Sequence, residues 1–423
     1  MEAGDISRRG VLAGAALLPA AAPVAEAAMS SASDVRPFRI DVPQAKLDRI
    51  WSRLREAEWP DQPAGRPWTY GTSVAAMRDL VAYWTGQYDW RAREAMMNRF
   101  PHYLTKVEGH DVHFLHVQGS GKRPRPILLS HGWPGSFVEF LKVIEPLAHP
   151  ERFGGNPDDA FSVVVPSLIG TGFSAKPAKP VAPVMMARLF DQVMVERLGY
   201  RDYIAQGGDL GAPLSVSLGQ FGRGCKAVHL NFLMQFDETA PPLTEEDNQN
   251  PQPSRPPEAG ADHHPWPWPD RERGYQVIQG SKPLTLAYLA DSPIAVAAWI
   301  FEKFKAWSWL KDGDPWSVYT RDEVLDNIMV YLVTGTFGTS TWMYCARYGE
   351  DERYVLPNVP MRKPLGIAHY VGQPVLPRSY VERNYQLIHW ADIPDGGHFA
   401  AYEKPDLFVQ NLRDFNRRLR ALG

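Results

Sequence analysis

Cysteine is almost missing from this chain: 423 residues carry two, Cys225 and Cys345. That excludes a disulfide framework and any cysteine-rich metal site, and leaves open whether the two pair with each other. Charge of one sign is equally scarce. The net charge is −3 and the isoelectric point about 6.5, so no basic surface is expected for nucleic acid or an anionic membrane. No P-loop and no dinucleotide fingerprint occurs. In "GHDVHFLH", His113 and His116 would point to opposite faces of a strand, and His263-His264 has no matching acidic pair nearby, so no metal site is expected. Long hydrophobic runs are lacking too. The apolar stretch Gly10 to Ala22 is Ala-rich and closed by Pro19 and Pro23, too short and weak for a good membrane span.

What the chain does have is aromatic residues and punctuation. Fourteen Trp and 12% aromatics suit large apolar pockets. The length allows one large α/β domain with an insertion, or two domains. The N-terminus reads as an address: Ser7-Arg8-Arg9, the apolar run, then Ala25-Glu26-Ala27. A basic start, an apolar middle and an A-x-A site describe a secretory signal, and paired arginines describe its twin-arginine form. Residues 1–27 are expected to be cleaved. The folded protein would then be exported, periplasmic or secreted, with no stable membrane anchor.

Residues 35–104 read as a helical packing module, with Leu47, Ile50, Trp51 and Leu54, then Val74, Met77, Leu80, Val81 and Trp84, at helical spacing. From 105 to 235 the period changes. "VHFLHVQG", "PILLS", "FSVVVPS", "DYIAQ" and "AVHLNFL" read as strands separated by helical text such as Phe137 to Leu147 and Met185 to Leu198. That alternation predicts a parallel α/β sheet. Residues 236–348 read as a mostly helical insertion over the site, a lid. It opens on a stretch, Thr239 to Gly274, whose nine prolines argue against regular structure. Residues 349–423 return to the sheet with a last strand, "YQLIHWA", and a last helix from Pro405.

One short stretch carries chemistry. Gly207-Gly208-Asp209-Leu210-Gly211 has the spacing of the G-x-S-x-G turn that lifts a nucleophile above a sheet, with Asp in place of Ser. A carboxylate needs no base to ionise it at neutral pH, and it can attack an sp3 carbon bearing a strained leaving group to form an alkyl ester. His131-Gly132-Trp133-Pro134-Gly135-Ser136 follows a strand where hydrolases place an oxyanion-hole loop. The Trp133 and Leu210 N–H groups are the expected donors. Gly396-Gly397-His398-Phe399 follows the last strand and offers a general base. Gly170-Thr171-Gly172-Phe173-Ser174 reads as a loop bordering the pocket.

Together, HGWPGS at 131, GTGFS at 170, GGDLG at 207 and GGHFAAYEKP at 396 resemble the microsomal-type epoxide hydrolases of the α/β-hydrolase superfamily. "FRIDVPQAKLDRIWSRL", "YWTGQYDWR" and "RGYQVIQGSKP" extend the likeness to nearly everything after residue 35. The resemblance implies an α/β-hydrolase fold with a helical lid and an N-terminal module. It implies cofactor-independent opening of a small-molecule epoxide to a vicinal diol, and the Trp and Tyr content suits a large apolar one. Asp209 would attack a ring carbon, Tyr275 and Tyr344 would protonate the oxygen, and His398 would activate water. A homo-oligomer is compatible with the sequence.

The chain departs from that family's pattern in one telling place. Gln373 stands where relatives carry the carboxylate that orients the histidine, and no Asp or Glu occurs between Arg353 and Val381. An amide can hold an imidazole but cannot balance an imidazolium. Three explanations stay open. The acid has moved, with Asp237 the best candidate; or the second step is slow; or no second step is needed, as in a non-hydrolytic epoxide-opening cyclase or isomerase. Leu210, where relatives commonly carry Trp, changes the pocket wall but not the backbone N–H.

Overall fold

The computed structural model describes residues 34–65, 67–234, 240–249, 268–346, 359–373 and 375–422. From Asp34 onward the chain is one compact unit. Residues 1–33, which include the signal-like segment 1–27, and Asp237 lie outside the described residues.

Strand β1 (Arg36–Phe38) precedes helices α1 (Gln44–Arg55), α2 (Val74–Gly86) and α3 (Trp90–Met97). The helical spacing of the sequence reappears as buried faces: Leu47, Ile50 and Leu54 on α1, and Met77, Leu80, Val81 and Trp84 on α2. Ser73 and Asp89 cap the second and third helices by accepting N–H groups of their first turns. Strands β2 (His102–Val107), β3 (His110–Val117), β4 (Arg125–Ser130), β5 (Phe161–Pro166), β6 (Tyr203–Gly207), β7 (Cys225–Leu230), β8 (Leu365–Tyr370) and β9 (Leu387–Ile393) complete one sheet. Its order is β1-β2-β3-β5-β4-β6-β7-β8-β9. The first three strands and the β3–β5 pair are antiparallel, and every pairing from β5 to β9 is parallel.

The central strands are apolar throughout because both faces are covered. On β5, Val163 and Val165 enter one core and Val164 the other. β4 splits likewise, with Ile127 and Leu129 opposite Leu128. Each such side chain stabilises the fold by about 1.5–3 kcal/mol. Helices α4 (Leu141–Ala148), α5 (Pro183–Gln192) and α6 (Gly211–Phe221) cross between these strands.

Between β7 and β8 the chain makes α7 (Glu245–Gln249), α8 (Trp268–Ser281), α9 (Pro283–Ala287), α10 (Pro293–Trp307), α11 (Arg321–Thr334), α12 (Phe337–Ser340) and α13 (Trp342–Cys345). Two of these correct the sequence expectation that Thr239 to Gly274 holds no regular element. Helix α7 forms inside it, and α8 begins at Trp268, since its Pro269 falls in the first turn, where a missing N–H costs nothing. After β8 come α14 (Arg378–Asn384), α15 (Ala400–Glu403) and α16 (Pro405–Ala421). Cys225 and Cys345 are unpaired. No helix of the described residues is long and apolar enough to cross a membrane. Among those residues no cluster of three His, Cys, Asp or Glu side chains could hold a metal.

Candidate active site

The parallel strands end at one edge, and the candidate residues stand there. Asp209 lies between the end of β6 and the start of α6. Its φ is +48°, a left-handed conformation that costs a non-glycine residue about 1–3 kcal/mol and marks functional turns. The flanking glycines make the turn sterically feasible. A Cβ on Gly207 would lie 2.1 Å from the Gly211 carbonyl oxygen, and one on Gly211 would lie 2.1 Å from that of Ser130. The carboxylate stands near the N-terminal, positive end of α6.

The two Asp209 oxygens face different neighbours. Oδ1 accepts the Trp133 N–H at 2.8 Å, and Oδ2 lies 3.3 Å from His398 Nε2. The Leu210 N–H, the second expected donor, makes no bond to the carboxylate in this structure. Trp133 is held by its loop. Asn327 of α11 donates Nδ2–H to the Pro134 carbonyl at 2.7 Å and pairs with Ser136 Oγ at 2.7 Å. Tyr331, one turn on, donates its O–H to the Gly135 carbonyl at 2.6 Å. His131 is buried, which lowers its pKa to about 4 and leaves it neutral.

His398 sits on the loop after β9, its ring near Trp307, Phe232 and Phe399. Its Nδ1 is 2.8 Å from Gln373 Oε1, so Gln373 occupies the orienting position anticipated for it. An amide oxygen there selects the tautomer with Nδ1–H, leaving the Nε2 lone pair toward Asp209. Glu403 of α15 fastens the same loop. Its carboxyl accepts the N–H groups of Gly397 (2.9 Å), Phe399 (2.9 Å) and Trp309 (2.8 Å). Burial still raises its pKa to about 7.

Tyr275 of α8 and Tyr344 of α13 meet at Trp133. The Tyr275 ring stacks on that indole at 5.3 Å, Tyr344 meets it edge-on at 6.0 Å, and the two tyrosines lie 5.7 Å apart. Burial, foremost, and the charge of Asp209 raise both phenols well above their ordinary value, so both keep their protons at neutral pH. The Tyr344 hydroxyl is buried and interacts with the Tyr275 phenol. A small pocket of about 10 Å³ adjoins, lined by Gly132, Trp133, Gly135, Glu139, Gly208, Asp209, His398 and Phe399.

The structure thus brings together Asp209, His398, Gln373, Trp133, Tyr275 and Tyr344. Sequence reasoning missed Glu139, Glu403, Asn327 and Tyr331. For Glu139 the signal was an acid flanked by Val138 and Phe140, immediately after the HGWPGS loop. The Gly170–Ser174 loop joins α12 through Thr339 Oγ1–H to the Gly170 carbonyl, 2.8 Å.

Comparison with known proteins follows this geometry. A model of the epoxide hydrolase N terminus matches residues 35–140, and one of the alpha/beta hydrolase fold matches residues 125–257. A protein of Stigmatella aurantiaca, provisionally named an epoxide hydrolase, is 39% identical over 392 residues, covering 92% of this chain and 86% of its own. Epoxide hydrolase 1 of Sus scrofa is 31% identical, covering 93% and 91% respectively. Among solved structures, the Aspergillus niger epoxide hydrolase superposes with a TM-score of 0.73 at 29% identity, covering 92% of this chain and 97% of that one.

Proposed function

This chain belongs to the epoxide hydrolase family of the α/β-hydrolase fold and is a hydrolase, and from that premise we propose that it opens an apolar epoxide through an ester on Asp209. The supporting observation is the placing of the two carboxylate oxygens, Oδ1 accepting the Trp133 N–H and Oδ2 3.3 Å from His398 Nε2, the nitrogen that would activate water.

In this reading Oδ2 attacks a ring carbon and the strained C–O bond breaks. The departing oxygen takes a proton from Tyr275 or Tyr344, whose phenols burial keeps protonated. An alkoxide is a stronger base than a phenolate, so the transfer runs downhill. The helices between β7 and β8 act as the lid that carries these acids. His398 then removes a proton from water, which attacks Cγ of the ester. The negative charge that develops on Oδ1 is met by the Trp133 N–H, already in place. Collapse expels the diol and restores the carboxylate. Of the two protons the water brings, one ends on the leaving diol oxygen and one restores the tyrosine. Gln373 holds the imidazole orientation throughout, and no cofactor enters.

A single turnover in ¹⁸O-labelled water tests this. The label should appear in Asp209, not in the first diol, because water attacks the ester carbonyl carbon. Label in the first diol would overturn the ester route. An unlabelled product with no ester on Asp209 would point instead to the cyclase or isomerase alternative, in which an internal nucleophile opens the ring.

A further inference from the structure

With Gln at 373, the imidazolium formed during ester hydrolysis has no carboxylate on its Nδ1 side. A carboxyl group does stand on the other side. Glu139 lies on the short turn Phe137–Phe140 and lines the same pocket as Asp209 and His398. Its Oε2 packs so closely on Gly135 that a Cβ there would come within 2.6 Å. Glu139 is half-buried, and no hydrogen bond to its carboxyl oxygens is found among the described residues.

We propose that Glu139 serves the hydrolytic half-reaction, accepting a hydrogen bond from the attacking water and balancing the charge that forms on His398. The inference rests on the ester route above. No bond to Glu139 forms. One water proton passes to His398 Nε2, the second O–H is held by Glu139, and the water oxygen is thereby aimed at Cγ of residue 209.

The surroundings make this role conditional on the ester. Burial first, then the charges of Asp209 and Glu403, raise the Glu139 pKa to about 8. Facing it are Asp209 on the nucleophile turn, His398 on its loop, Glu403 and Tyr402 of α15, Tyr331 of α11 and Tyr319 just before α11. When Asp209 is alkylated its charge disappears, and ionisation of Glu139 becomes easier. The ionised form of Glu139 is thereby favoured in the intermediate that needs a carboxylate.

The test uses the full-length enzyme and whichever member of a terminal-epoxide panel the wild type turns over fastest. Ester formation and decay are followed by rapid-quench intact mass. Glu139→Gln should leave ester formation within about threefold of wild type and slow ester hydrolysis at least about tenfold, so that ester accumulates on Asp209. The rise of the hydrolysis rate with pH that comes from ionising Glu139, which lies below about 8 once the charge of Asp209 is gone, should vanish. In a Gln373→Glu background, where residue 373 supplies the charge, the same substitution should cost less than about threefold. Glu139→Asp, which keeps the charge, should retain the pH limb, and covers the case in which the amide variant fails to fold. Equal losses in both backgrounds, or unchanged ester hydrolysis, would overturn the inference while leaving the ester route intact. Absence of any ester in wild type and variant alike would instead sink the ester route itself.

Discussion

A hydrogen atom is all that residue 132 can carry. A Cβ there would lie 2.2 Å from Asp209 Oδ1 and 2.3 Å from its Cβ, both backbone-anchored or held by the Trp133 N–H. Gly132→Ala should still fold, at a cost of about 1–3 kcal/mol for overpacking, and should lose turnover by at least about a hundredfold because the nucleophile is displaced. Thermal melting and initial rates on the same preparation check both halves. The buried acids also leave a signature in stability. The folded-state pKa values are about 8 for Glu139, raised by burial and then Asp209, and about 7 for Glu403, raised by burial; a free glutamate ionises near ~4.3. The unfolded chain therefore releases these protons first. The stabilisation is complete below about pH 4 and is lost as pH rises through 7 to 8. Between pH 5 and 8 stability should fall by an amount on the order of a few kcal/mol, and Glu139→Gln, which cannot ionise, should flatten the slope seen by calorimetry. At this scale the sequence was readable where a residue type was unexpected in its motif. Asp209 in a Gly-rich turn, His398 after a glycine pair and Gln373 in place of an acid all announced themselves. Glu139 did not, because an acid in amphipathic helical text reads as a solvated face, and only the turn of Phe137–Phe140 aims it inward.

Helix α11 joins the N-terminal helices to the site. Asp326, fully buried, accepts Nε–H and Nη2–H of Arg93 from α3 and the Tyr88 hydroxyl at 2.9 Å. The next residue, Asn327, and Tyr331 one turn later hold the loop that presents Trp133. Removing Asp326 would strand the Arg93 charge, half covered, and an enclosed phenol, for a loss of about 3 kcal/mol. Asp326→Ala should show that loss in urea unfolding, and Asp326→Asn, which still accepts from Tyr88, should show less. Elements with a single clear period were legible: β4 to β7 and β9 as short apolar runs, α1 and α2 as apolar stripes. Three strands were not singled out. β1 has only three residues. β2, "HYLTKV", is mostly buried, yet His102, Thr105 and Lys106 break up any apolar run. β8, "LGIAHY", is buried throughout yet contains Gly366 and His369, which break the apolar run that betrayed its neighbours. The proline-rich stretch misled for the opposite reason, since Pro269 marks the start of α8 rather than a break.

At the scale of the whole molecule, stability is expected to survive removal of the first residues. The compact unit runs from Asp34, and Arg36 already pairs with Leu104 of β2, so the sheet closes without the preceding segment. Cys225 lies in β7 and Cys345 in α13, and both are free thiols, so folding needs no oxidising compartment. We propose that the paired arginines Arg8-Arg9 send the chain along a route that carries an already folded protein. A variant lacking residues 1–27 should melt within about 1 °C of the full chain and turn over substrate at the same rate, and reductant should move neither value. In a host with a twin-arginine pathway the full chain should be recovered outside the cytoplasm with Ala28 as its first residue by intact mass. Arg8→Lys/Arg9→Lys should leave folded, active, uncleaved protein inside. Export of that double variant in normal yield would refute the twin-arginine reading. A truncated chain with a much lower melting point would show that the leading residues belong to the fold, which the early closure of β1 on β2 argues against.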